Sequence, residues 1–356
     1  MSTFWKRYSL LIIGSTFFFC FPVALINYIV DPFLSFRHNV PLGRFQPMFD
    51  ERQQKTNYLA GDKRDIDTVI LGNSRVAYLN PSNVPGKAFN YAVSSMRSFE
   101  FLPYLQFAAS QSSLPIKTVL LGLSFVDTNA VTGIPSDPPE KYIEKATSWG
   151  FRYKSLLSIK LLHHSITSVK RELQVNPDDA YIREDDKRPV RHMALPVPPT
   201  VRQRAINENL ATYKAHAYGK DYVYLDNRPV YMELTNSFPT TRFLVFTTPV
   251  SAHLLNLLVA QGLFDHYAQW LSHAVEIFGE LWNFMYFNSV TTNDDYYKDA
   301  HHYSPQVCDM ITRKLYDLKD ENDEKNFGIK VTRENLEEHV DFLRRNMLTN
   351  KQTIFK

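Results

Sequence analysis

The sequence predicts an α/β fold, a parallel five-stranded sheet with helices on both faces, preceded by one transmembrane helix. Three features carry that reading. Asp67–Gly72, Lys117–Leu123 and Arg242–Thr247 are short apolar runs, the pattern of strands buried on both faces. Amphipathic helical periods lie among them, and strands alternating with such helices favour a parallel sheet. Ahead of all this, Tyr8–Val30 is a stretch of 23 residues without a charge.

That stretch is long enough to cross about 30 Å of hydrocarbon as a single helix. It exceeds the apolar core of roughly 7–15 residues expected of a cleaved signal peptide. Asn27-Tyr28-Ile29-Val30-Asp31 also offers no small-residue cleavage site. Pro22 and Asn27 interrupt the run, and a membrane helix tolerates both. Residues 1–7 form a short tail whose Lys6 and Arg7 favour an inside N-terminus, although Arg37 and Arg44 beyond the span weaken the charge contrast. The bilayer is therefore the first expected partner, through residues 8–30, with 31–64 as a connector.

The body, 65–318, takes its three strong strands from the runs above, and Ala88–Val93 and Trp282–Phe287 complete five. Phe264, Tyr267, Trp270, Leu271, Ala274, Val275 and Phe278 fall on one helical stripe. Ser304-Pro305 starts a further helix with a capping serine and a proline in its first turn. Its buried face is Val307, Met310, Ile311 and Leu315. Residues from about 130 to 235 show helical stretches but no comparable strand, and include the mixed-charge run Asp178–His192. They read as one long helical insertion between the third and fourth strands. The tail, 319–356, places Leu336, Val340, Leu343 and Met347 on one helix face.

Composition removes several function classes. With 44% hydrophobic and 22% charged residues the chain has material for a folded core. Two cysteines, Cys20 and Cys308, make neither a disulfide framework nor a four-cysteine metal site. Of 40 basic residues two lie in the first thirty, leaving 38 against 37 acids, so no global excess exists to neutralise phosphates. Nucleic acid is not an expected partner.

Ligands of open parallel sheets bind beyond the carboxyl ends of the strands. Gly72-Asn73-Ser74-Arg75 follows the first strand, Val93-Ser94-Ser95 the second and Gly122-Leu123-Ser124, with Asp127, the third. Thr247-Thr248-Pro249 follows the fourth, and Asp299-Ala300-His301-His302 comes after the last. A hydroxyl, an imidazole and a carboxylate can thus meet at one edge. A serine nucleophile needs a base to take its proton, and the base needs a carboxylate to hold its tautomer. His253, just past Pro249, is a reserve base. Asp294, Asp295, Asp299, His301 and His302 lack a matching distant ligand cluster, so no metal is expected. No Gly-rich phosphate loop indicates a cofactor.

The first-strand Gly-x-Ser block and the late Asp-x-x-His block together resemble the SGNH (GDSL-like) hydrolases, over about residues 65–130 and 240–318. An N-terminal anchor followed by Tyr28-Ile29-Val30-Asp31-Pro32-Phe33 is similar to a bacterial subgroup of polysaccharide O-acetylation and D-alanine transfer proteins. The resemblance implies a flavodoxin-like sheet, with Ser74 as nucleophile, His302 as base and Asp299 as its orienting carboxylate. It places oxyanion donors at Ser95, where the family has glycine, and at Ser124, where the family has asparagine. Losing that asparagine donor costs about 2.7–4 kcal/mol of transition-state stabilisation if nothing replaces it.

The resulting expectation is a single-pass protein of the bacterial inner membrane with an extracytoplasmic C-terminal domain. It would be a serine O-acyltransferase or acylesterase acting on a surface polysaccharide, with a membrane-bound O-acyltransferase as partner and no cofactor. The alternative is a catalytically inactive SGNH-like assembly or glycan-binding protein.

Overall fold

The structure is a computed structural model that describes residues 3–36, 45–61, 63–131, 137–174, 180–183, 189–318, 324 and 326–349. Arg37, Arg44 and part of the Asp178–His192 run lie outside the described residues. In chain order the first elements are α1 (Thr3–Val30), β1 (Phe45–Pro47), α2 (Glu51–Leu59), β2 (Thr68–Leu71), β3 (Ala88–Asn90), α3 (Phe101–Gln111) and β4 (Thr118–Leu123). Then come α4 (Pro139–Thr147), α5 (Phe151–Ser155), α6 (Ile159–Glu172), β5 (Ala180–Arg183), β6 (Pro189–Arg191), α7 (Pro199–Thr212) and α8 (Arg228–Ser237). The last are β7 (Arg242–Thr247), α9 (Ala252–Ala260), α10 (Phe264–Phe278), β8 (Glu280–Asn283), α11 (Pro305–Leu315), β9 (Ile329–Thr332) and α12 (Leu336–Arg344).

The chain divides into two compact units, one of residues 1–63 with 138–194 and one of 64–137 with 195–356. The second holds a mixed sheet in the order β3-β2-β4-β7-β8-β9 flanked by helices. Strands β3 through β8 in that order pair in parallel, and β9 closes one edge antiparallel to β8. Val69, Ile70 and Leu71 on β2 and Val119, Leu120 and Leu121 on β4 are fully buried. Successive strand residues point to opposite faces, so both faces of the sheet are covered.

The sheet has six strands rather than the expected five. The extra strand, β9, lies in the tail expected to be helical, where Ile329–Thr332 pairs with Glu280–Asn283. Lys330 Nζ meets Glu280 Oε2 at 2.9 Å across the pair. The fifth strand also begins and ends earlier than Trp282–Phe287. The backbone N–H groups of Phe284 and Met285 donate to Thr247 Oγ1, at 2.9 and 3.2 Å, instead of continuing a ladder. The 130–235 stretch, expected as one helical insertion, contributes α4–α6, β5 and β6 to the first unit and α7 and α8 to the second. Strands β5 and β6 pair antiparallel with each other, and β5 with β1, completing a small three-stranded sheet. Their brevity hid them from an apolar-run search.

Helix α1 is long and apolar enough to span a membrane: within Phe4–Val30 its most apolar 18 residues have a mean hydropathy of 2.2. It starts earlier than the uncharged run because Lys6 and Arg7 are good helix formers. Its end is tied into the first unit. Asp31 accepts from the N–H groups of Ser35 and Phe36, both at 2.8 Å, and fixes the turn that leaves the helix. Helix α2 follows in what sequence reads as a connector, capped by Asp50, whose carboxylate accepts from Gln53 N at 3.2 Å.

In the second unit, the buried amide of Asn283 joins β7, α10 and α12. Its oxygen accepts from Thr247 Oγ1 at 2.8 Å and Tyr267 OH at 3.1 Å. Its nitrogen donates to His339 Nε2 at 2.9 Å, which requires an unprotonated imidazole nitrogen. Burial pushes the His339 imidazole down to about 4 from 6.5. Below pH 6.5 the unfolded chain therefore binds a proton that the folded chain refuses until about pH 4. Stability is full above 6.5 and falls by up to roughly 3 kcal/mol across that window. Thermal unfolding between pH 7.5 and 4.5 should show a shallower decline in His339→Gln than in the parent; parallel curves would refute the assignment.

Candidate active site

Strand β2 is joined onward to β3 on one side, and the next connection returns past it to β4 on the other. Such a reversal leaves a crevice beyond the carboxyl ends of β2 and β4. Ser74 stands there, in a tight turn closed by Val76 N and Ala77 N donating to Asn73 O at 3.0 and 3.2 Å. Asn73 Oδ1 accepts from Arg75 N at 3.1 Å, and Asn90 Nδ2 donates to Val76 O and Leu79 O at 3.0 and 2.8 Å. Two glycines make room for the turn. A Cβ on Gly72, which has φ of +151°, or on Gly122 would strike the side chain of Val76.

The loop after β8 brings the other two groups. Lys298 N donates to His302 O at 2.9 Å, and Tyr297 and Tyr303 bridge antiparallel, so Asp299-Ala300-His301 forms a tight tip. Asp299 Oδ1 accepts from the N–H groups of His301 and His302, both at 2.9 Å. Its Oδ2 lies 2.6 Å from His302 Nδ1, and His302 Nε2 lies 2.9 Å from Ser74 Oγ. Asp299 is an acceptor throughout, so His302 Nδ1 carries a proton and Nε2 is free to accept one from Ser74 in the neutral ring. Burial alone would raise the Asp299 carboxyl. The hydrogen bond from His302 and the charges of His301 and His302 outweigh it and hold the group far below the usual carboxylate range. The rings of His302 and buried Tyr78 pack edge to face with centroids 6.2 Å apart.

Beside Ser74 is a cavity of about 150 Å³, lined among others by Arg75, Ser95, Met96, Tyr213 and His301. Ser95 has φ of +57°, and Met96 N donates to Val93 O at 3.2 Å. Ser95 therefore occupies the left-handed third position of a turn, where glycine is the ordinary residue. Ser124 does not line the cavity. Its hydroxyl accepts from Arg75 Nη1 at 2.5 Å, and Thr248 Oγ1 accepts from the same nitrogen at 3.1 Å. Arg75 Nη2 donates to Tyr213 OH at 2.6 Å. Among the described residues, this nearly buried cation has hydroxyls and no carboxylate as partners. Arg97 instead pairs with buried Asp127, which also accepts from Ser98 Oγ and, at 2.8 Å, from Ser98 N.

Arg75 and Tyr213 were not singled out by sequence reasoning. Arg75 stood within the quoted Gly-x-Ser block, whereas nothing in the sequence marks Tyr213. Among the described residues the imidazole hydrogen-bonded to Ser74 Oγ is that of His302, not of His253. His253 Nε2 lies 3.1 Å from Asp294 Oδ2, a hydrogen bond that lowers the Asp294 carboxyl. Among the described residues Asp299, His301 and His302 have ligand atoms within 4.8 Å of one another. A metal there would compete with the bonds that hold His302 between Asp299 and Ser74.

Gly122→Ala tests whether sheet packing sets the position of Ser74, because the new methyl meets Val76 on one side and the Phe246 ring, 2.9 Å away, on the other. Overpacking of this kind costs about 1–3 kcal/mol. Thermal unfolding should fall by that amount, with slower reaction of Ser74 toward a serine-directed fluorophosphonate. Unchanged stability and labelling would show that the turn does not depend on the glycine. No protein-family model matches the chain, and no curated protein matches it; the geometry of the site carries the functional reading.

Proposed function

We propose that this chain is a membrane-anchored, SGNH-like serine O-acyltransferase or acylesterase acting on a cell-surface polysaccharide outside the cytoplasm. One observation carries the reading: Ser74 Oγ, His302 and Asp299 form a continuous hydrogen-bonded chain at 2.9 and 2.6 Å. The parallel order β3-β2-β4-β7-β8 supports a flavodoxin-like assignment, since it is 2-1-3-4-5 counted along those strands.

In this mechanism Ser74 Oγ attacks the carbonyl carbon of an acyl donor while His302 Nε2 takes its proton. Asp299 remains a carboxylate and stabilises the imidazolium. The carbonyl π electrons move to oxygen, and the backbone N–H of Ser95, on the same cavity, is a donor for that oxyanion. Arg75 supplies positive charge where the asparagine of the family pattern is missing, with Ser124, Thr248 and Tyr213 orienting its fork. His302 then returns the proton to the departing oxygen, leaving an acyl-serine. A sugar hydroxyl or water, deprotonated by the same imidazole, releases the acyl group and restores Ser74. The cavity of about 150 Å³ suits a short acyl group. A membrane-bound O-acyltransferase is the proposed source of the donor. The second reading, an inactive glycan-binding relative, is favoured by serine at position 124, and loses force because Arg75 compensates.

Turnover of an aryl acetate by the full chain in detergent tests the chemistry. Ser74→Ala and His302→Ala should each lose about 10⁶-fold in kcat, and Asp299→Asn about 10⁴-fold, because aspartate orients but does not carry the proton. Arg75→Met should cost about 10²–10³-fold. Equal turnover by Ser74→Ala would remove the catalytic reading; a His302→Ala enzyme that works while His253→Ala does not would move the base.

The compartment has its own test. Protease added to spheroplasts should digest the body, and deletion of residues 1–30 should abolish membrane retention. A body protected in spheroplasts and cleaved in inverted vesicles would reverse the topology and with it the surface-glycan proposal.

A further inference from the structure

Helix α1 does not end in solvent. Counting about 20 residues, the length that spans the hydrocarbon core, from the basic pair Lys6-Arg7 brings the far membrane surface to Asn27. Asn27 is fully buried in the first unit. Its Nδ2 donates to the carbonyls of Leu156 and Ser158 at 2.8 and 3.1 Å, and Ser165 Oγ donates to its Oδ1 at 2.8 Å. The corner between α5 and α6 is thus fastened to α1 at the level where the helix leaves the bilayer.

What that corner exposes is unusual for a surface in water. Trp149 is 93% exposed, Ile159 69%, Tyr153 58% and Leu157 55%. Helix α6 is partly inside out: Ser165 and Ser168 are buried, while Ile159 and Ile166 face outward. Between Trp149 and Arg171 the sequence has five Lys or Arg and no Asp or Glu. Exposed tryptophan, tyrosine and aliphatic side chains interleaved with basic ones are the composition of a segment lying in the membrane–water interface.

We propose that the α5–α6 corner is a second membrane-contact surface, seated in the interfacial layer of the bilayer that α1 crosses. Trp149, Tyr153, Leu157 and Ile159 enter the boundary between headgroups and acyl chains. Arg152, Lys154 and Lys160 meet anionic phospholipid headgroups. The proposal rests on α1 spanning the membrane and is independent of the catalytic reading.

The test uses the full chain with Cys20→Ala, labelled with the environment-sensitive fluorophore NBD at Leu157→Cys, Ile159→Cys or, as a reference within the span, Phe18→Cys. Each is reconstituted in phosphatidylcholine vesicles with and without phosphatidylglycerol. The labels at 157 and 159 should be blue-shifted relative to free NBD-cysteine, quenched by headgroup-region nitroxide lipids and shielded from iodide. Phosphatidylglycerol should strengthen that quenching in the parent but not in Arg152→Gln/Lys154→Gln/Lys160→Gln. Labels at 157 and 159 as accessible to iodide as free NBD-cysteine, with the label at 18 quenched by lipid, overturn this proposal alone and give the surface to a protein partner. A label at 18 that stays aqueous overturns the span as well. A phosphatidylglycerol effect that survives the triple substitution overturns the headgroup assignment.

Discussion

The parallel polarity of the central sheet is the constraint on which the site depends. Because β2, β4, β7 and β8 run the same way, their carboxyl ends emerge on one edge, each followed by a loop. Ser74 and His302 are 228 residues apart, yet a hydrogen bond of 2.9 Å joins them because their loops follow strands of one sheet. The loops are fastened individually as well. Ala300 O accepts from Ser251 N and Ser251 Oγ at 3.0 and 2.9 Å, which ties the Asp299 loop to the segment after β7. Ala300 N donates to Asn209 Oδ1 at 3.2 Å, so α7 braces the same loop. Such restraint holds the groups of the proposed proton relay in place, the condition for such a relay to be effective.

Charge around the site is distributed unevenly. Arg97 and Asp127 neutralise each other, and Ser98 N and Oγ both donate to the same carboxylate. Arg75 is surrounded by hydroxyl oxygens that solvate its charge as water would, without cancelling it. A cation held this way is costly in a folded interior. The cost is recovered only when negative charge develops nearby, which the proposed acyl-transfer step does on the carbonyl oxygen. Under that proposal the charge of Arg75 would stand in for the amide donor that the resembled pattern carries at position 124.

The sequence made the central strands legible because burial on both faces leaves an uninterrupted apolar run, as in Val69-Ile70-Leu71 and Val119-Leu120-Leu121. It made Ser74, Asp299 and His302 legible because loops after strands of a parallel sheet are few and each carries only a handful of reactive groups. Strand β9 escaped because an edge strand buries one face only, and Ile329-Lys330-Val331-Thr332 alternates over too few residues to stand out. The buried role of His339 escaped because its partner, Asn283, is 56 residues away and polar. Tyr213 escaped because it lies in the stretch read as an insertion, where no strand end pointed to a site. The turn that puts Ser95 in the left-handed region, a backbone that glycine ordinarily takes, escaped because a serine there gives no turn signal of its own.

The region read as a connector shows most clearly why polarity is an incomplete guide to burial. Helix α2 is Glu-Arg-Gln-Gln-Lys-Thr-Asn-Tyr-Leu, a sequence fit for a surface, yet Gln53 through Leu59 are all buried. The chain leaving α1 presents carbonyls that no helix or strand satisfies, and buried carbonyls require donors. Gln54 Nε2 donates to Pro32 O and Pro47 O at 2.8 and 2.9 Å, and Asn57 Nδ2 to Phe33 O at 3.2 Å. Gln46 Nε2 serves Val30 O at 2.9 Å in the same manner. Side-chain amides are neutral donors long enough to reach across a loop, so they satisfy such carbonyls without burying a charge. Apolar replacements of the same length would fill the space and leave those carbonyls unpaired, at about 1–3 kcal/mol each. The polar character of α2 is therefore a consequence of the irregular backbone it packs against, and a hydropathy pattern that scores residues one at a time cannot register it.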